Sequence, residues 1–84
     1  MATRIKVHVT QEHIDKGECC SVTRCPVALA LKERFLGKTV VVGKTYVQIN
    51  QKFYRLDSKG CKFIRAFDDG RKVQPIEVTL TKIL

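Results

Sequence analysis

Thr45-Tyr46-Val47-Gln48-Ile49-Asn50-Gln51-Lys52-Phe53-Tyr54-Arg55-Leu56 is the stretch that decides how this 84-residue chain folds. Two runs rich in β-branched and aromatic residues, 45–49 and 52–56, flank a pair of residues short enough for a two-residue hairpin turn. Asparagine tolerates the left-handed backbone of such turns. Glutamine is a weak choice beside it, so the turn residues alone leave the register open. With the turn at Asn50-Gln51, Val47 faces Tyr54 and Thr45 faces Leu56 on the core side. Tyr46, Gln48, Phe53 and Arg55 then share the opposite face. A slip of one residue would exchange the faces and make Phe53 a core residue.

Outward from the hairpin, the chain alternates short strands and helices. Ile5, Val7 and Val9 alternate with Lys6, His8 and Thr10, the period of a half-buried strand. Met1 to Lys6 leads into that strand and does not read as a signal peptide. Thr10 caps a short helix, 11–16, stopped by Gly17. Residues 18–24 form a loop carrying Cys19 and Cys20. Cys25-Pro26 opens a second helix, because proline suits the first helical position. That helix runs through Val27 to Leu36 and ends at Gly37. Thr39–Val42 is strand-like, and Gly43-Lys44 is a turn. Asp57-Ser58 caps a third helix, 59–67, ending near Gly70. After Pro75, Ile76, Val78 and Leu80 share one face of a last strand. The order β-α-α-β-β-β-α-β predicts a small single α+β domain spanning 1–84, with a mostly antiparallel sheet and helices on one face. The longest apolar run is five residues, Val27 to Leu31, so no segment is expected to span a membrane.

Two stretches resemble a pattern found in small proteins of bacteria and their phages. One is Val9-Thr10-Gln11-Glu12-His13-Ile14-Asp15-Lys16-Gly17 followed by Cys25-Pro26-Val27-Ala28-Leu29-Ala30-Leu31. The other is Phe63-Ile64-Arg65-Ala66-Phe67-Asp68-Asp69-Gly70 followed by Val73-Gln74-Pro75. The resemblance implies a phage or mobile-element setting, hence a bacterial cytoplasm, and carries no activity with it.

Charge is unevenly placed. The net charge is +8, and residues 1–20 and 66–84 are each balanced. All of the excess lies in residues 21–65, where ten basic residues face only Glu33 and Asp57. Such a bias speaks to partners and not to fold. On the third helix Gly60, Phe63, Ile64 and Phe67 fall within an arc of ~100°, with Lys59, Lys62 and Arg65 opposite. One reading is an ordinary solvated face; the other is a surface that contacts phosphates. Tyr46 and Phe53 beside Arg55, supported by Lys52, would form a stacking platform for bases. Together these residues predict a non-catalytic nucleic-acid contact within residues 44–65.

The second helix is apolar almost all round. Leu29 and Leu36 lie away from the stripe of Val27, Ala30, Leu31 and Phe35, which suggests a homodimer or an acidic host protein as an alternative partner. A further alternative is a small phosphorylated ligand held in the basic region.

Four cysteines are many for this length. Cys20, Cys25, Cys61 and His13 could supply a zinc tetrad, but no Cys-x2-Cys pair is present. Free thiols serving as small apolar residues are the preferred reading, with no metal or cofactor expected. Cys25, just before a helix, could carry a lowered pKa. Asp68-Asp69 sits oddly at a helix C-terminus, where negative charge is disfavoured. No glycine-rich phosphate loop, paired-carboxylate spacing or nucleophile elbow is present.

Overall fold

The computed structural model describes residues 4–83. Met1 to Thr3, read above as the lead-in to the first strand, lie outside the described residues. The chain runs β1 (Arg4–Val9), α1 (Gln11–Lys16), α2 (Pro26–Arg34), β2 (Val40–Val42), β3 (Tyr46–Ile49), β4 (Lys52–Leu56), α3 (Ser58–Asp68) and β5 (Ile76–Lys82). This is the element order expected from the sequence. The five strands form one antiparallel sheet in the order β1-β5-β4-β3-β2. None of the described helices is long and apolar enough to cross a membrane.

The sheet is curled. β1 and β2 are its two outer strands, yet both pack against α2. The inner face supplies Val7, Val9, Val40, Val42, Val47, Ile49, Tyr54, Leu56, Val78 and Leu80, all buried. Val27 and Leu31 of α2 fill the trough at 0% exposure, and Phe63 and Ile64 of α3 close it. An α2 apolar on several sides is thereby explained. The curled sheet takes one part of its surface and α1 another.

Local chemistry places the ends of the elements. Thr10 Oγ1 accepts the His13 N–H at 3.4 Å, and His13 Nδ1 accepts the Thr10 N–H at 2.9 Å. This is a capping box with histidine where glutamate or glutamine usually stands. The other ring nitrogen, Nε2, faces the Glu33 carboxylate on α2. Asp57 caps α3 by accepting the Gly60 N–H at 2.9 Å. α2 is shorter than the sequence pattern suggests. It ends at Arg34, with Phe35 as its C-cap and Gly37 left-handed at φ 78°.

The hairpin adopts the register in which Val47 pairs with Tyr54 and Gln48 with Phe53. Asn50 alone in the turn has a left-handed backbone, φ 54°, so Gln51 needs no unusual conformation. Asn50 also ties the turn to the neighbouring strand. Its Oδ1 accepts the Thr39 N–H at 2.9 Å, and its own N–H donates to Thr39 O at 2.8 Å.

Gly60 is required for close approach. A Cβ there would lie 2.6 Å from Cγ and Cδ1 of Leu56 and 2.9 Å from the capping Asp57 Oδ1. In an open helix, Gly→Ala would stabilise by about 1 kcal/mol. Here Gly60→Ala is expected to destabilise by about 1–2 kcal/mol, because overpacking against a buried leucine outweighs helix propensity. Urea unfolding of the two proteins measures the sign directly.

Candidate nucleic-acid interface

The helices occupy the inner face, so the outer face of the sheet is bare. Strand alternation and register define what it presents. Arg4 pairs with Thr81, Thr81 with Arg55, and Arg55 with Tyr46, one row across four strands. Phe53, Gln48 and Val41 form the next row over β4, β3 and β2. Lys6 lies beside Thr79, and His8 beside Glu77. His8 Nε2 and the Glu77 carboxylate are 2.9 Å apart, which engages the single acidic residue among these outward strand positions.

Tyr46 and Phe53 stand side by side on this face. Their ring centroids are 6.3 Å apart with planes inclined by 42°. Both are exposed, at 42% and 47%. Tyr46 lies over Gly43, where a Cβ would come within 2.6 Å of its Cε1. The Gly43 N–H also donates to Tyr46 O at 2.8 Å, so the β2–β3 turn sets the position of the ring. Arg55 is exposed next to both rings.

Arg4 and Lys6 belong to this surface and were not among the residues singled out from sequence. Their signal was present, since Ile5 and Val7 place them on the opposite face of β1. What was missing was the strand order. Only the β1–β5–β4 pairing brings them beside Arg55.

The other expected site residues lie elsewhere. Lys59, Lys62 and Arg65 are exposed on α3 opposite the buried Gly60, Phe63 and Ile64, as the helical pattern predicts. But α3 packs on the inner face, so these cations point away from the sheet on the helical side. Lys52 pairs with Ile49, which puts it on inner-face parity, where it borders a groove with Phe35 and Lys38. Residues 44–65 therefore form two surfaces and not one. Leu29 is half-buried, and Leu36 is 82% exposed beyond the end of α2. The apolar contact considered for this helix thus reduces to Leu36.

The cysteines do not assemble into the zinc tetrad offered as the lesser reading, and of the thiols preferred as small apolar residues Cys25 is buried and Cys61 partly so, whereas Cys19 and Cys20 are exposed. His13 is engaged by Thr10 and Glu33 in the α1–α2 junction. Cys25 is buried at the N-cap of α2, its sulfur accepting the Ala28 N–H at 3.4 Å. Burial pushes this thiol up, against the lowering by the helix N–H groups of Ala28 and Val27. The lowered pKa suggested by its position before a helix is thus reversed. Cys20, Cys25 and Cys61 line a cleft of about 450 Å³, together with Lys44, Arg65 and Asp68. Cys19 sits beside Cys20. Hydrogen bonding with Cys20 pushes the Cys19 thiol up to about 11, and the carboxylates of Asp68 and Asp69 add to the rise.

No protein-family model matches the chain, and no curated protein or solved structure matches it either.

The exposure of Phe53 has a direct consequence for stability. Phe53→Ala and Tyr46→Ala are each expected to cost at most about 1 kcal/mol, the scale of one cross-strand pair. Tyr54→Ala, one position along β4 and buried, should cost about 3–5 kcal/mol. Chemical denaturation of the three variants separates the two faces of the strand.

Proposed function

We propose that this protein binds single-stranded nucleic acid on the outer face of its sheet, without catalysis. The observation that carries the reading is the exposed Tyr46–Phe53 pair set in a row of cations, Arg55 and Arg4, with Lys6 alongside. Two rings on neighbouring strands offer stacking surfaces for two splayed bases, as aromatic side chains do on other four- and five-stranded sheets that bind RNA or DNA. Arg55, Arg4 and Lys6 supply phosphate contacts, and Gln48 offers an amide for a base edge. A duplex keeps its base faces stacked inside, and a convex sheet cannot enter its grooves as a helix does. Single strands are therefore the substrate class that suits this face. A phage-type origin and a cytoplasmic setting, implied by the sequence motifs, form part of the same proposal.

Fluorescence anisotropy with labelled single-stranded DNA, single-stranded RNA and a duplex tests it. Single strands should bind, and affinity should fall with salt at a slope of about −2 in log–log form for three phosphate contacts. Tyr46→Ala and Phe53→Ala should each weaken binding by about 1–3 kcal/mol. Arg55→Ala should reduce the salt slope by about 0.7. Unchanged affinity in the Tyr46→Ala/Phe53→Ala double variant would remove the outer face from consideration. If the Lys59→Ala/Lys62→Ala/Arg65→Ala variant loses most of the binding instead, the interface lies on α3.

A further inference from the structure

A second site lies at the far end of α3, in the loop between α1 and α2. Cys19 and Cys20 are both exposed, and their sulfurs are 3.0 Å apart. Adjacent side chains in an extended chain diverge to opposite sides. Here Cys20 is left-handed, φ 62°, and the two sulfurs come to one side. The loop is pinned to the end of α3. The Cys20 N–H donates to Asp68 Oδ1 at 2.9 Å, and the Cys19 thiol donates to Asp68 O at 3.0 Å. The two sulfurs and an Asp68 carboxylate oxygen all lie within 4.8 Å of one another.

We infer that Cys19, Cys20 and Asp68 form a binding site for a soft divalent cation of the zinc class. Two thiolates and one carboxylate are a donor set for zinc or cadmium, not for magnesium or calcium. Metal–sulfur bonds of ~2.3 Å and metal–oxygen bonds of ~2.0–2.2 Å place donors of one tetrahedral ion up to ~4 Å apart. Small side-chain rotations reach that from the spacing seen. The fourth position faces solvent and falls to water. Binding displaces two thiol protons to solvent, one from each cysteine.

The surrounding charge supports a cation. Asp68 and Asp69 sit at the C-terminal end of α3, where the helix already presents partial negative charge. Arg71 approaches Asp69 at 4.0 Å. Among the described residues, the Asp68 carboxylate is bonded only to the Cys20 N–H. Exchange of two thiol protons for one dication leaves the net charge of this end unchanged, so Asp68 acts here as the third donor and its negative charge holds the ion in place.

The test is a titration of the full chain, kept reduced, with cadmium chloride. Thiolate-to-cadmium absorption in the near ultraviolet reports ligation, and native mass spectrometry reports stoichiometry. One cadmium per chain is expected. Cys19→Ser and Cys20→Ser should each weaken binding by more than about tenfold, and Asp68→Asn by about tenfold. Cys61→Ser should leave it unchanged. Absence of the absorption at one equivalent overturns the proposal. So does its survival in the Cys19→Ser/Cys20→Ser double variant, which would move ligation to Cys25 and Cys61. Circular dichroism checks that the variants fold. If one does not, alkylation of the wild-type chain with and without zinc decides. Protection of Cys19 and Cys20 but not Cys61 is expected, and equal alkylation with and without zinc refutes the site.

Discussion

Both outer strands of the sheet close on the same helix, and most of the remaining structure is a consequence of that contact. A flat five-stranded sheet of this length would leave one helix to cover each end of its inner face. Instead β1 and β2 bend towards α2, so Val27 and Leu31 reach complete burial in a chain of only 84 residues. A small domain buries a limited fraction of its surface. Wrapping a sheet around one apolar helix is an efficient use of few side chains. The arrangement also manages the sheet edges. Arg34 on α2 donates to Lys6 O on β1, and Val22 O accepts from Val42 on β2.

The same curl determines which face of the sheet is left uncovered. All helices are spent on the inner face, so the outer face has no covering layer. Strand alternation then turns the residues opposite core positions outward, and Arg4, Lys6, His8, Tyr46, Phe53 and Arg55 are exposed there. Tyr46 and Phe53 are exposed because Val47 and Tyr54 are buried. Threonine would also suit these strand positions, so the fold does not require aromatic side chains there, and the proposed function rests on them. It rests less on the basic face of α3, because charge opposite an apolar stripe is ordinary on a surface helix.

The hairpin shows how far local pattern reaches. Its alternation placed Tyr46, Gln48, Phe53 and Arg55 on one face, and the structure has that face. Glutamine makes the turn residues a poor guide to register only if both turn positions are left-handed. Asn50 takes that conformation alone, and its side chain, bonded to Thr39, holds the turn. Helix caps were equally legible at Thr10, Cys25 and Asp57, although no pattern assigned histidine to the capping box of α1. Contacts distant in sequence were not legible. Arg4 and Lys6 join Arg55 only through β5, and charge counting by segment cancelled them against Glu12, Asp15 and Glu18. The Cys20–Asp68 contact spans 48 residues and leaves no trace in cysteine spacing. A tetrad drawn from spacing alone instead enlisted His13, which is held within the helix pair.

Distance decides how the two basic surfaces can cooperate. The molecule measures 35 × 26 × 18 Å, so even its shortest dimension exceeds the ~8 Å screening length at physiological salt. Cations on α3, on the helical side, contribute little to a phosphate held against the outer sheet face. Their field still extends into solvent at low ionic strength, where it raises the rate of encounter with a polyanion from any direction. Under the proposed function the bound state would depend on Arg55, Arg4, Lys6 and the two rings, with the +8 net charge setting the rate of encounter and the outer face the lifetime of the complex.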